Sequence, residues 1–338
     1  MNKPQLNSKY FSLVVTILLF VLLFAAGSMK YTVFFTLQNF LNLFIDNAYL
    51  IIMATGTTFV LINGGIDISV GAVLSLTCML SAYLLESMHF NPFFVMFLMI
   101  ALGAVFGLVQ GSLIHFFKLQ PFIVTLAGMF FARGMTAVIS IDTIDITDKT
   151  YEIIANYRIP VLGGAFISIS VVIAVIVLLI GIYIAHFTKF GRSAYAIGGN
   201  EQSAILMGLP VGRTKVCVYM LGGICSALSG IVFSFYMRSG FTLHGLGMEM
   251  ESIASVVIGG TLLTGGVGHV FGTLFGVLIQ GTIQTLIMFQ GTLSSWWTKI
   301  AVAFLLFLFI VMQSLLTSSR LRKKSTGKVT TEKAQDME

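Results

Sequence analysis

Charge is what this sequence most lacks. Only 9% of its 338 residues are Asp, Glu, Lys or Arg, against about a quarter in a soluble domain. That shortage excludes an ordinary soluble fold, and a hydrophobic content of 57% points to an integral membrane protein. Strict polar/apolar alternation is also missing, which excludes an outer-membrane barrel. The apolar residues come in long runs, of the roughly 20 residues that cross a bilayer as helix. There are three cysteines, Cys78, Cys217 and Cys225, inside such runs and without C-x-x-C spacing. They read as small core residues, neither a disulfide frame nor a metal site. No GxxxxGK[ST] phosphate loop occurs, since the one Gly-Lys pair, Gly327-Lys328, is followed by Val329. ATP hydrolysis, if it is used, must come from another chain. The five histidines show no ligand spacing and no GxSxG nucleophile appears, so no catalytic centre, bound cofactor or metal is expected.

What is present is a series of ten apolar runs, over residues 10–27, 47–63, 72–85, 93–117, 122–141, 165–187, 216–237, 252–263, 270–289 and 297–316. The expected fold is an all-α polytopic membrane protein of about ten transmembrane segments, some broken or re-entrant. Eight or nine is the alternative if the glycine-rich pieces do not span. A signal peptide is a rival reading of the first run, because Lys3 and Lys9 precede it and Ala25-Ala26-Gly27 closes it. With the N-terminus inside, thirteen Lys/Arg fall on inward segments and five outward (Lys30, Lys149, Arg158, Arg238 and Lys299), with Arg133 inside a run. That bias places both termini in the cytoplasm. Residues 1–9 are then a cytoplasmic N-terminus, 10–316 a single transmembrane domain and 317–338 a basic cytoplasmic tail. The tail carries Arg320, Arg322, Lys323, Lys324, Lys328 and Lys333, a positive-inside anchor rather than a nucleic-acid site. Loops 142–164 and 238–251 face outward, and 189–215 faces inward.

Four features carry mechanism. Gly103, Gly107 and Gly111, and likewise Gly268, Gly272 and Gly276, recur every four residues, which lets helices approach closely. Asn63-Gly64-Gly65-Ile66-Asp67-Ile68-Ser69-Val70-Gly71 interrupts an apolar stretch. Amide and carboxylate groups at membrane depth are costly unless they face protein or water. Asp67 either caps the next helix or lines a transport route together with Asn63, Gly64, Gly65, Ser69 and Gly71. Arg133 either snorkels to the interface or faces a cavity. Trp296-Trp297 suits an interfacial aromatic belt.

The loop 189–215 supplies the fourth feature. Asn200 is placed to cap a short helix, Glu201 sits in its first turn where the dipole favours an acid, and Gly208 with Pro210 ends it. Ala204, Ile205 and Leu209 give it an apolar side suited to a partner's groove, although a helix lying on the bilayer surface is the alternative.

At these residues the chain resembles the permease subunits of bacterial sugar ABC importers, the ribose/xylose/arabinose/galactofuranose family. The matching pieces are GGIDISVG (64–71), YAIGGNEQSAILMGL (195–209) and SVVIGGTLLTGGVGHVFGTLFG (255–276). GMFFARG (128–134) and GTLSSWWTKIA (291–301) look most like a galactofuranose-importer permease. Glu201, Ser203, Ala204 and Gly208 match the family's coupling motif, with Ser203 in place of an alanine. The resemblance implies a cytoplasmic ATP-binding subunit that uses the ATP, a second permease subunit in a heterodimer, and a periplasmic sugar-binding protein, all around the lipid bilayer. Arg158 and Arg238, in the outward loops, are the expected docking residues for that binding protein. A self-sufficient secondary sugar carrier is the rival reading, and a non-transporting scaffold a weaker one.

Overall fold

Among the described residues each of the ten apolar runs contains a helix, but their lengths differ with where glycine interrupts them. The structure, a computed structural model, describes residues 8–31, 33–294 and 296–313; the basic tail lies outside them, as does most of the N-terminal segment 1–9. The helices are α1 (Ser8–Lys30), α2 (Leu37–Asp46), α3 (Ala48–Ile62), α4 (Val70–Glu86), α5 (Pro92–Phe116), α6 (Pro121–Ile139), α7 (Lys149–Asn156), α8 (Ile169–Phe187), α9 (Lys189–Gly199), α10 (Glu201–Leu206), α11 (Val211–Met237), α12 (Met248–Ile258) and α13 (Val270–Gln290), followed by α14 (Trp296–Gln313). Proline starts α5 and α6, at the one helical turn where a missing N–H costs nothing.

Among the described residues seven helices are long and apolar enough to cross a membrane, or eight if α2 and α3, bent by 55°, count as one span. This falls short of ten because glycine-rich breaks at 63–69 and 259–269 leave α4 at 17 residues and α12 at 11. An 11-residue helix is only about 16 Å long, half a bilayer.

The interrupted helices sit in the middle. All of α3 but Tyr49 is walled in, fourteen of its fifteen residues being buried, and α11, α8, α12 and α13 pack around it. By contrast α1, α5, α6, α8 and α14 keep most of their surface outward. The order is physical: broken backbone has free N–H and C=O groups that lipid cannot satisfy, so it survives only inside protein. Hydroxyl pairs cross-link this interior, Thr57 with Ser252 and Thr58 with Thr273, both at 2.8 Å. The glycine spacing does what it predicts for all but Gly268, which lies in the second break ahead of α13 and meets the Thr261 side chain rather than a helix backbone. Gly103, Gly107 and Gly111 lie against the backbone of α11 at Gly223, Tyr219 and Val216, and Gly272 and Gly276 against α12 at Gly259 and Ser255.

At one end of the bundle two short strand pairs close the loops. β1 (Ile144–Asp145) pairs antiparallel with β4 (Ser239–Gly240), and β2 (Arg158–Pro160) with β3 (Phe166–Ser168). Segment 142–164 is not purely loop: Asp148 caps α7 by accepting from Thr150 N–H at 2.8 Å, and Tyr151 is fully buried against the Phe235 ring. Glu86 at the end of α4 accepts from Thr147 and Asp148 backbone N–H groups. The opposite end carries α9 and α10.

Segment 238–251 is only partly a surface loop. Gly240 lies beside Ala82 and Met79, whereas Gly245 lies beside Gly71 and Leu74. In five residues the chain therefore travels down α4 from its C-terminal half to its first turns, about 12 Å on the helical rise, and α12 starts from that depth.

Candidate functional site

The first break is held by its own polar groups. Asp67 is 2% exposed, and its Oδ1 accepts from Ser69 N–H at 2.8 Å and from Ser69 Oγ at 2.6 Å. Gln110, from the last two turns of α5, donates to Ser69 Oγ at 3.0 Å. Asp67 is thus the head of a tight turn just ahead of α4 and makes no bond to the helix's own first-turn N–H groups; Ser69 holds the capping position, but its hydroxyl bonds Asp67 and Gln110 rather than capping the helix. Gly71, one residue inside α4, faces Glu249 and the Gly245 carbonyl.

Around this turn, polar atoms are buried with no partner among the described residues: Asn63 Oδ1, the Tyr219 hydroxyl, and across the bundle Thr261 Oγ1 and Ser255 Oγ. The Tyr219 hydroxyl lies against Gly65, too close for any side chain there. Buried hydrogen-bonding capacity left unused is rare in a finished core; Asn63 and Thr261 place some of it at the two breaks, and more lies along α4, in the outer loops and at Glu249.

The breaks themselves meet. Gly266 N–H donates to the Ile62 carbonyl at 2.8 Å, joining the end of α3 to the second break. Both Gly64 and Gly265 take positive φ, +82° and +83°, and a Cβ on Gly265 would stand 2.8 Å from the Gly64 Cα. The third partner comes from α9. A Cβ on Gly198 would collide with the Ile62 carbonyl and stand 2.7 Å from Gly266 N, and one on Gly266 would stand 2.6 Å from the Gly199 Cα. Tyr195, one turn earlier on α9, donates to the Gly268 carbonyl at 2.8 Å. Burial pushes the Tyr195 phenol up to about 12, so it stays a protonated donor throughout the physiological range. Two interrupted spans and one helix outside them thus share a single backbone contact.

α9 leads directly into the short helix expected at 200–208. Asn200 Oδ1 accepts from Ser203 N–H at 2.8 Å, as a cap should, and Gly208 ends the turn at φ +73°. Glu201 pairs with Lys215 at 2.7 Å. Ala204 is buried with Ile197 and Val211, and Leu209 packs onto that cluster. Leu209 therefore does not share the outward face with Ile205; the exposed apolar residues are Ile205, Leu206 and Met207 at 56%, 88% and 65%. The α9 helix before it was not foreseen, because Lys189, Gly191, Arg192 and Gly198 made the stretch read as loop.

Arg133 neither snorkels nor stands free in a cavity. Its Nη1 donates to the carbonyls of Thr242 and His244, and the Glu249 carboxylate lies near enough to interact with its charge. It clamps the descending segment 241–249 against α6. The clamp was illegible in the sequence, since its acceptors are backbone atoms more than a hundred residues away. Arg238 lies 3.9 Å from Glu152, and Arg158 sits over the Phe166 ring at 4.4 Å. The two arginines belong to different strand pairs at the same end of the bundle.

Chemically this arrangement offers close backbone contacts and hydrogen-bonding groups. Residues 39–311 match the family described as branched-chain amino acid transport system / permease component. The chain is 46% identical over 305 residues to the inner membrane ABC transporter permease protein YjfF of Escherichia coli (strain K12), covering 90% of this chain and 92% of that one. It is 37% identical over 327 residues to the fructose import permease protein FruG of Bifidobacterium longum (strain NCC 2705), covering 92% and 95%. With the ribose import permease protein RbsC of Escherichia coli (strain K12) it shares 34% over 281 residues, covering 83% and 87%. No solved structure matches.

Proposed function

The chain belongs to the family of transport-system permease components, and from that membership we propose that it is one permease of an ATP-driven, binding-protein-dependent importer of a monosaccharide, galactofuranose being the sugar expected. It is a permease component and not in itself an enzyme. The sugar class rests on relatives whose names specify fructose and ribose import; those relatives are importer permeases, which sets the self-sufficient carrier aside. Galactofuranose rests on the stretches 128–134 and 291–301. The observation that carries the transport reading is the contact of two broken helices with α9, next to a capped helix presenting Ile205, Leu206 and Met207 outward.

In this reading the protein is a multi-pass protein of the bacterial inner membrane with both termini cytoplasmic. A separate cytoplasmic ATP-binding subunit receives α10, with Asn200, Glu201, Ala204, Ile205 and Gly208 shaping the contact and Leu209 bracing it from behind. No cofactor is bound by this chain; the partner uses the ATP. The binding protein docks at the strand-bearing end near Arg158 and Arg238, and the second permease is a different chain. The breaks, with Asn63, Gly64, Gly65, Asp67, Ser69 and Gly71, line the inner part of the route, and Arg133 shapes it indirectly through segment 241–249.

Two measurements test this. Gly208→Trp places a bulky residue where φ is +73°, and Glu201→Lys opposes Lys215. Either variant should reach the membrane at normal amounts yet lower sugar-stimulated ATP hydrolysis by the co-purified complex about tenfold, as loss of one or two interface contacts does; unchanged hydrolysis in both would remove α10 from the coupling role. At the break, Asp67→Ala removes the acceptor of two bonds and should lower membrane yield by about 2 kcal/mol of stability. Asp67→Asn keeps an acceptor oxygen, so it should assemble normally and show its defect in uptake. Wild-type uptake by Asp67→Asn would leave Asp67 with a folding role alone.

A further inference from the structure

One cavity lies apart from the breaks. It encloses about 300 Å³ between the first turn of α3, the first turns of α12, the middle of α13 and the start of α14, within the size range of small-molecule sites. Its polar wall brings together three amides, Asn47, Gln280 and Gln284, with Glu251 and Lys299. Its other wall is aliphatic, with Leu50, Ala254, Val302 and Leu306. Two of the amides are fixed by packing, Gln280 donating to the Glu251 carbonyl at 2.9 Å and 5% exposed and Asn47 donating to the Leu43 carbonyl at 2.9 Å, while Gln284 is exposed at the rim. At the mouth the Lys299 ammonium stands over the Trp296 ring, 5.0 Å from its centre, and acts on the Glu251 carboxylate.

The wall chemistry selects a ligand class. One carboxylate and one ammonium sum to zero, so neither an anion nor a cation is favoured. The three amides each donate and accept, which suits hydroxyl groups that do both. A carboxylate and two buried amides held between helices are expensive to keep for an acyl chain. A polar wall facing an aliphatic one matches a sugar ring, with hydroxyls around its edge and C–H groups on its face. We propose that this cavity is a binding station for one neutral monosaccharide, held by Glu251, Lys299, Gln280 and Gln284 before the sugar reaches the breaks. The proposal rests on the sugar-permease reading and goes beyond it, giving the permease selectivity of its own at a site separate from Asn63–Gly71.

The test is residue-specific protection in the assembled complex with its ATPase, second permease and binding protein in proteoliposomes. Ala303→Cys, on the cavity rim, is alkylated with a maleimide in the presence of ribose, fructose, allose or galactose, with leucine as the comparison, and labelling at that residue is read by mass spectrometry. At least one sugar should slow alkylation about tenfold and leucine should not. Glu251→Gln, which removes the charge, and Gln284→Ala, which removes the amide, should each weaken that protection about tenfold, as loss of one charge-assisted or amide hydrogen bond does. Should Ala303→Cys assemble poorly, Met250→Cys reports from the α12 side. Protection absent with both reporters in a complex that imports sugar overturns the station alone, as does protection that survives both Glu251→Gln and Gln284→Ala. A complex that imports no sugar, with leucine protecting the cavity, overturns the sugar reading as well.

Discussion

Gly198→Ala should nearly abolish transport, while Gly199→Ala, one residue away, should be tolerated. A Cβ on Gly198 collides with the Ile62 carbonyl and crowds Gly266 N, the acceptor and donor of the bond that joins the breaks. Overpacking costs about 1–3 kcal/mol, and orphaning a buried backbone pair costs a similar amount again. The sum, about 4 kcal/mol, is a large share of a typical stability. A Cβ on Gly199 meets nothing within 4 Å, and its φ is not in the left-handed region. At the last position of α9, alanine there is neutral or slightly favourable, by up to about 1 kcal/mol. The check is thermal stability and uptake of the two variants side by side. Equal behaviour would show that the glycine contact is not the link between α9 and the broken helices. Substitution by alanine tells the two glycines apart because their environments differ while their sequence context, Gly-Gly, does not.

Arg133→Ala should loosen segment 241–249 and lower the yield of folded protein. The guanidinium serves two carbonyls and the Glu249 charge at once. Removing it leaves all three without that partner, a loss of about 3 kcal/mol for a partly buried ion partner. Arg133→Lys keeps the charge but not the planar fork, so it should recover only part. The sharper arm is Glu249→Gln placed on top of Arg133→Ala. If the stranded carboxylate is a main cost, the double variant should regain about 1 kcal/mol relative to Arg133→Ala alone, a coupling that a double-mutant cycle reads directly. Amide hydrogen exchange over 241–249 is the measurement, and exchange as slow in Arg133→Ala as in the parent protein would refute the clamp.

How much of this was readable without coordinates follows the range of the interactions involved. The helices and the glycine stripes were legible because both are properties of neighbours three to twenty residues apart: Gly107 against Tyr219 is implied, as to type if not partner, by Gly103 and Gly111. The cap at Asn200 and the stop at Gly208 were legible for the same reason. The count of ten spans is not confirmed at α4 and α12, where apolar composition marks burial as well as membrane crossing; the eight that length and composition allow among the described residues match the alternative expected if the glycine-rich pieces do not span. Arg133 was undecidable because its acceptors are main-chain atoms with no residue signature. Leu209 was misjudged since facing Ile197 and Val211 depends on how α9, α10 and α11 fold onto one another. The meeting of Gly64, Gly198 and Gly265 joins residues more than sixty positions apart. Each showed locally only as a glycine in a Gly-Gly pair.

The shared glycine contact also sets a scale for movement. It sits at the first-turn end of α13, a helix of 21 residues and so about 30 Å long. Fixed there, α13 is a lever with its fulcrum beside α9. A tilt of about 5° carries the far end sideways by about 3 Å, close to the width of a water molecule, while the hinge itself shifts hardly at all. The place where α9 can push is thus the place that moves least, and the gain in displacement appears at the other end, among the residues around Gln284 and Gln290.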